Sequence, residues 1–229
     1  MTRPVLALDT SGAVSVAVHD GTAVVAARHV HDPRRHAELL VPMVQEVLDE
    51  SRIDRHDLAA VAVGTGPGPF TGLRVGLVTA RTLSLALGVP VHGVPSLDAL
   101  ALQVAAGRVV PPGTEMVVAT DARRREVYWG RYLVLAGPDA RRLSGPAVDR
   151  PAEVPVGGAP CFGRGAAVHP GVLPGPAEAL RDDLLDASAT AVATLAVRRL
   201  AAGLPGPDEP LYLRRPDAVE PGPRRRATP

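Results

Sequence analysis

The chain contains no lysine, a single cysteine and few aromatic side chains. All 25 basic residues are arginines, they are matched by 24 acidic residues, and the net charge is +1. A chain so close to neutral does not, as a whole, attract nucleic acid electrostatically. Because Cys161 stands alone, a disulfide framework and a cysteine-rich metal site are excluded. With two Phe and one Trp, the core must be built from Val, Leu and Ala.

Long apolar runs are missing as well. No stretch approaches the roughly 20 apolar residues that a membrane-spanning helix needs, and residues 1–4 lack the apolar region of a secretory signal. We therefore expect no membrane contact and a cytoplasmic location. A length of 229 residues is enough for one large domain or two small ones.

The most informative feature that is present is the glycine-rich stretch of residues 64–76. It follows an apolar run at residues 58–63 and leads into an apolar segment at residues 73–87, an order typical of strand, turn and helix. The backbone amides of such a turn can hold an anion. The stretch has neither the Gly-Lys-Ser/Thr of a P-loop nor the G-x-G-x-x-G spacing. A tight turn without a ligand is the alternative.

Small residues recur every four positions along the helix that follows this turn. Because glycine inside a helix costs about 1 kcal/mol relative to alanine, close approach of another backbone is expected to compensate. That backbone belongs either to the protein's own sheet or to a partner helix. The small residues are Gly72, Gly76, Ala80, Ser84 and Gly88.

The first 108 residues predict the order strand-strand-strand-helix-strand-helix-strand-helix. Asp20-Gly21 indicates a hairpin, and Asp32-Pro33 indicates a helix start. Pro42 is expected to kink that helix or delay its start. This order is the unit of the ribonuclease H-like half-domains of actin, Hsp70 and sugar kinases.

A second lobe is predicted beyond Pro111-Pro112-Gly113. We place the N-terminal lobe, with its dimerisation surface, at residues 1–108, the C-terminal lobe at 109–215, and a disordered tail at 216–229. Residues 137–178 are dense in Pro and Gly and weak in periodicity. A closing helix at residues 187–202 can pack on either lobe.

Five segments, in the same order along the chain, resemble the TsaB (YeaZ) family. Each is a weak pattern alone, but five in order are specific. One departure is Pro69, where the family usually has Ser; it removes an amide and a hydroxyl and weakens an anion-binding role for the loop. The segments are Leu6-Ala7-Leu8-Asp9-Thr10-Ser11, residues 36–43, residues 66–74, Asp121-Ala122-Arg123 with Glu126-Val127-Tyr128, and Pro210-Leu211-Tyr212-Leu213-Arg214.

This resemblance implies an α/β, actin-like (ASKHA, ribonuclease H-like) two-lobed fold, with mixed sheets flanked by helices. It also implies a non-catalytic relative of TsaD, the subunit that transfers threonylcarbamoyl to N6 of the adenosine beside the anticodon, in tRNAs reading codons that begin with A. The family pairs with TsaD through the N-terminal lobes, helps recruit the ATPase TsaE, and forms a homodimer alone. Contact with tRNA is expected to be indirect. A free-standing actin-fold ATPase or a glycoprotease-like peptidase is the alternative.

The turn Asp9-Thr10-Ser11 lies where actin-like kinases and TsaD place a phosphate-facing turn. One interpretation is a residual nucleotide contact. The other is a turn capped by its own Asp and Ser side chains. The resemblance implies no cofactor of the chain's own and leaves open ATP or ADP at the interface with the partner subunits.

We predict no metal site and no catalytic residue. TsaD has two histidines one helical turn apart, whereas here His36 is followed by Leu40, and a single imidazole cannot hold a metal. His29 and His31 are expected at a solvated strand edge. The candidate nucleophiles lie in no known nucleophile motif; they are Ser11, Ser84, Ser96 and Cys161.

A partner interface is predicted on two consecutive helices of the N-terminal lobe. The alternative is that these residues only cover the lobe's own sheet. Met43→Arg is the change expected to abolish pairing while the chain stays folded. The predicted interface residues are His36, Leu39, Leu40, Met43, Val47, Gly72, Leu73, Gly76 and Ala80.

The basic cluster Arg123-Arg124-Arg125 has two interpretations. It either touches tRNA phosphates in the assembled complex or is a solvated turn between two strands. The second cluster, Arg224-Arg225-Arg226, lies in the predicted tail and either adds affinity for tRNA or is inert.

Overall fold

The computed structural model describes residues 4–32, 34–204 and 206–214. They contain two sheets and five α-helices. The strands are β1 (Val5–Asp9), β2 (Val14–His19), β3 (Val24–Val30), β4 (Ala60–Gly64), β5 (Val91–Val94), β6 (Glu115–Asp121), β7 (Val127–Val134), β8 (Ala140–Asp149) and β9 (Cys161–Phe162). The helices are α1 (His36–Ser51), α2 (Phe70–Leu87), α3 (Ser96–Ala106), α4 (Arg164–Val168) and α5 (Ala189–Ala201), with short 3-10 turns at Arg55–Asp57, Pro151–Glu153, Ala177–Leu180 and Asp182–Leu184.

The first sheet has the strand order β3-β2-β1-β4-β5. Strands β1, β2 and β3 form the predicted antiparallel meander, and β4 and β5 are added in parallel to β1. Helices α1 and α2 pack on one face, while α3 and α5 pack on the other. Because both faces are covered, every residue of β1, β2 and β4 is buried. Strands β1 and β4 are mainly apolar runs without alternation, whereas β2 also buries Ser15 and His19.

The second sheet has the order β8-β7-β6-β9. Its inner face packs on α3, and α3 and α5 share one hydrophobic core with residues of both sheets. Its outer face is covered by α4 and by loops from the region 150–173. The core is built mainly from Val, Leu and Ala, as the shortage of aromatic residues predicted.

The structure differs from the sequence-based prediction at two places. Helix α1 begins at His36, not at Asp32-Pro33, because the Asp32 carboxylate accepts the amide of Arg34 at 3.0 Å and closes a turn before the helix. The weakly periodic region 137–178 contains β8, β9 and α4. Strand β8 lies at the edge of its sheet and is largely solvent-exposed, so no alternation of buried and exposed residues marked it.

The chain after α5 connects the two sheets. Helix α5 packs on the first sheet, although it lies beyond the predicted lobe boundary at residue 108. Residues 206–214, here called the C-terminal strap, then run from the edge strand β5 towards the second sheet. The Gly93 amide donates to Gly206 at 3.1 Å, and the Leu211 amide donates to Thr65 at 2.9 Å. The predicted tail 216–229 lies outside the described residues.

Among the residues that the structure describes, no helix is long and apolar enough to cross a membrane.

Candidate functional site

The turn after β1 is buried and satisfied by its own hydrogen bonds. Oδ1 of Asp9 accepts the amide of Ser11 at 2.8 Å and its hydroxyl at 2.7 Å, and Oδ2 accepts the Ser96 hydroxyl at 2.7 Å. Burial raises the pKa of Asp9, and the hydrogen bonds from Ser11 and Ser96 oppose that rise. The side chains of Asp9 and Ser11 therefore shape this turn; a residual nucleotide contact by Asp9, Thr10 or Ser11 stays a prediction.

Thr10 connects this turn to the glycines of α2. Its hydroxyl donates to the carbonyl of Gly72 at 2.8 Å and accepts the amide of Gly76 at 3.1 Å. A Cβ at Gly72 would lie 2.8 Å from the Thr10 carbonyl oxygen, and one at Gly76 would lie 2.5 Å from the Thr10 hydroxyl. Within the lobe, Thr10 of the turn after β1 therefore approaches both glycines, through its backbone at Gly72 and through its side chain at Gly76.

The residues predicted as a partner interface are mostly inside the first lobe. His36 and Leu39 are partly exposed, and the other seven are buried. The buried side chains among them pack against the first sheet, which is the alternative that the sequence left open. In the folded lobe these seven residues expose almost no surface that a partner could contact. The seven are Leu40, Met43, Val47, Gly72, Leu73, Gly76 and Ala80.

The same two helices expose other apolar side chains to solvent. Val41 on α1 is 62% exposed, and Val78 and Leu85 on α2 are 58% and 87% exposed. Val78 and Leu85 are seven residues apart and therefore lie on one side of α2. The outward faces of α1 and α2 thus carry exposed aliphatic side chains next to the predicted residues, among charged side chains such as Glu46 and Arg81.

A cleft of about 260 Å³ opens between the two halves of the molecule. Its floor contains an ion pair between Asp186, which is 2% exposed, and Arg164. The Arg164 Nε donates to the two carboxylate oxygens at 3.0 and 3.1 Å, and His31 Nδ1 lies 3.2 Å from Oδ2. A Cβ at Gly12 would meet Asp186 Oδ1 at 2.6 Å. The cluster joins α4 to the strands of the first sheet.

Sequence reasoning did not single out Arg164 or Asp186. They are 22 residues apart, without the spacing of a helix face or strand face, and only the folded chain brings them beside His31. No sequence signal short of the fold could have paired them.

Comparisons with known proteins fit this architecture. A family model described as TsaD, tRNA N6-adenosine threonylcarbamoyltransferase, matches residues 29–169. The solved structure of YeaZ from Pseudomonas aeruginosa is similar with a TM-score of 0.77 and 33% identity, covering 92% of this chain and 100% of that one. The chain belongs to the TsaB (YeaZ) family, and its two mixed sheets with flanking helices are the actin-like fold.

Two relatives show how the similarity is distributed. The TsaB of Escherichia coli, named a tRNA threonylcarbamoyladenosine biosynthesis protein, is 41% identical over 131 residues, which are 56% of this chain and 54% of its own. An uncharacterized protein of Mycobacterium tuberculosis is 42% identical over 218 residues, 93% of each chain.

Two histidines of this TsaB-family chain, His31 and His36, line the cleft. His36 lies at the start of α1 and lines the cleft, with Nε2 near Gly72. Burial lowers the pKa of His29 on β3, so this imidazole favours its neutral form. Within residues 4–32, 34–204 and 206–214, no three His, Cys, Asp or Glu side chains are arranged to hold a metal.

The candidate nucleophiles differ in their surroundings. Cys161 is fully buried, and burial raises its pKa to about 11, so it is a protonated thiol at neutral pH. Ser11 and Ser96 donate to Asp9, and Ser84 donates to the carbonyl of Val89.

The arginine cluster forms the turn between β6 and β7. Arg123, Arg124 and Arg125 are exposed and have φ values of 62°, 54° and 61°. Three successive non-glycine residues in the left-handed region are energetically unfavourable. The amide of Ala122 donates to the carbonyl of Glu126 at 3.0 Å and closes the turn. Arg123 also lines the cleft.

Proposed function

We propose that this chain is an accessory subunit in the formation of threonylcarbamoyladenosine in tRNA, and that it acts by binding TsaD. The TsaB-family membership supports the pathway. The observation that carries the mode of action is the set of exposed aliphatic side chains on the outer faces of α1 and α2, which are Val41, Val78 and Leu85. In this proposal the surface pairs with TsaD, or with a second copy of the chain when TsaD is absent.

The two helices are suited to packing against another helix pair. Their inner faces already fill the core of the first lobe, which makes α1 and α2 a rigid platform. Helices that dock on helices insert side chains of one into the grooves of the other. Isolated exposed aliphatic residues are common on surfaces, but several on neighbouring faces of two long helices favour a protein contact.

The turn after β1 supports a non-catalytic role. In this turn the hydroxyls of Thr10 and Ser11 already donate to Gly72 and Asp9, respectively. The protons of both hydroxyls are therefore engaged within the chain. In this proposal ATP or ADP binds only where a partner subunit completes a site, the chain helps to recruit TsaE, and TsaD carries the transfer chemistry.

A reconstituted tRNA modification reaction tests the accessory role. It combines TsaC, TsaD, TsaE, tRNA, threonine, bicarbonate and ATP, with and without the chain. We expect modified tRNA only when the chain is present and none from the chain alone. Equal product without the chain would contradict the proposal and favour a free-standing actin-fold enzyme.

Val78→Asp tests the pairing surface. Burying a carboxylate in an apolar contact is unfavourable, so sedimentation should show the complex with TsaD lost or weakened by about a hundredfold or more. Val168→Asp is the matched control, because Val168 is also 58% exposed but lies on α4. If both variants bind TsaD like the unchanged chain, this surface is not the interface. Met43→Arg is unsuitable because Met43 is buried in the core.

A further inference from the structure

The six aromatic residues of the chain fall into two groups by exposure. Four of them are buried: Phe162, Tyr128, Trp129 and Tyr132. The other two, Phe70 and Tyr212, are 39% and 40% exposed, and they contact each other. Their ring centroids are 5.0 Å apart, with 36° between the planes.

An arginine extends this aromatic pair. The Arg74 guanidinium lies 5.0 Å from the centroid of the Phe70 ring, within the range of a cation–π contact. Among the described residues, Arg74 has no carboxylate partner. Arg74, Phe70 and Tyr212 thus form one cluster of contacting side chains at the surface, here called the aromatic stack.

Two segments far apart in sequence build the stack and hold it in place. Phe70 is the first residue of α2, and Tyr212 belongs to the C-terminal strap. The strap is fixed on one side of Tyr212 by the ion pair of Arg81 with Asp208 at 2.6 Å, and by the hydrogen bond of the Leu211 amide to Thr65. The exposed ring of Tyr212 therefore has a defined position.

The arginine turn lies beside the stack. Arg214, two residues after Tyr212, donates to the carbonyl of Ala122 at 2.9 Å and pairs with Glu126. The strap therefore ties the stack to the β6–β7 turn. On the other side, Arg123 lines the cleft together with Pro69 and Thr71, the two neighbours of Phe70.

The charges around the stack are predominantly positive. Three of the four nearby carboxylates are in ion pairs, and Glu209 is the fourth and is exposed. Within the described part of the chain, Arg125 makes no ion pair with a carboxylate. The ion pairs are Asp121 with Arg123, Glu126 with Arg214, and Asp208 with Arg81.

The left-handed backbone conformation of Arg123, Arg124 and Arg125 also indicates a functional site. Such a turn persists only where the surrounding structure holds it, and strained backbone is concentrated at sites that have a function. Here the turn has three exposed arginine residues, of which Arg123 lines the cleft.

We propose that the aromatic stack and the arginine turn bind unpaired nucleotides of RNA. Exposed Phe, Tyr and Arg planes stack on unpaired bases, and the guanidinium groups of the turn neutralise the neighbouring phosphates. The inference rests on the proposed function, which brings the chain to a tRNA whose anticodon loop offers unpaired bases. It replaces the expectation of purely indirect contact with tRNA.

The apparent KM for unmodified tRNA in the reconstituted reaction tests this site. Phe70→Ala with Tyr212→Ala should raise that KM about tenfold with kcat unchanged, since each lost base stack weakens binding by that order. Tyr212→Phe keeps the ring and should stay within about twofold. Arg125→Gln should raise the KM and lessen its salt dependence, whereas Arg141→Gln, an exposed arginine on β8, is the control that changes neither.

Assembly with TsaD, measured by sedimentation for each variant, separates the outcomes. An unchanged KM in the double variant overturns the proposal, and so does loss of assembly, which would make the stack a protein interface. If the unchanged chain does not stimulate modification, the accessory role fails. Fluorescence anisotropy of labelled tRNA with the isolated chain and the same variants then decides the RNA site by itself.

Discussion

Two turns beside the cleft differ in what stabilises their backbone conformation. The turn after β1 is buried, and the side chains of Asp9, Thr10 and Ser11 all hydrogen-bond inside the protein. The turn between β6 and β7 is exposed, and Arg123, Arg124 and Arg125 adopt left-handed backbone conformations. The first turn is stabilised by its side chains, whereas the second places charged side chains in water at a cost of roughly 1–2 kcal/mol per residue.

This difference shows that resemblance to a phosphate-facing motif does not by itself indicate a ligand. The Asp-Thr-Ser segment fits the position of such a motif, yet its polar groups connect the sheet to the glycines of α2. The arginine turn had a weaker sequence signal, yet its three arginines are exposed.

The largest expected effect is that of Gly76→Ala. In an exposed helix this change would gain about 1 kcal/mol, but here the new Cβ would lie 2.5 Å from the Thr10 hydroxyl. We expect the free energy of unfolding in urea to fall by about 2–3 kcal/mol. Thr82→Ala, at an exposed position of α2, is the control and should gain a few tenths. A stabilised Gly76→Ala variant would show that the turn and α2 are not in close contact.

A smaller effect of opposite sign is expected for Arg125→Gly. Glycine adopts positive φ without strain, and the Arg125 side chain is exposed, so the free energy of unfolding should rise by about 1 kcal/mol. Arg125→Gln removes the same charge but keeps the strained backbone, and it should leave stability unchanged. Equal stabilities of the two variants would mean that the left-handed conformation of Arg125 carries no strain.

The smallest expected effect is a pH dependence at Asp9. Burial raises its pKa in the folded chain above the ordinary value of 3.8. Its contribution to stability is therefore fully present below that value and is lost as pH rises through the folded-state pKa. Asp9→Asn cannot titrate, so its free energy of unfolding minus that of the unchanged chain should increase from acid to neutral pH. A difference that is constant or decreases with pH would argue against a raised pKa.

The sequence predicted the first sheet well because its central strands β1 and β4 are mainly apolar runs and its turns carry glycine or Asp-Gly. The start of α1 was misplaced because Asp32 forms a turn with Arg34 instead of capping the helix. The edge strand β8 was missed because an exposed strand has no burial pattern to read.

The residues of the candidate site were harder to predict from the sequence. Helical periodicity marked Leu40, Met43 and Ala80, but periodicity reports the buried face of a helix, and these residues lie in the core. Val41 and Val78, which face solvent on the same helices, have no periodic signal of their own.

By itself, the sequence determined the family, the element order of the first lobe and a core of small aliphatic residues, because these depend on local pattern and on ordered short motifs. Only the tertiary structure decided that Thr10 packs against the glycines of α2 and that Asp186 meets Arg164 and His31. It also decided that Phe70 and Tyr212 contact each other at the surface. Such contacts join residues far apart in the chain, and their distances are set by how the sheets and the strap pack.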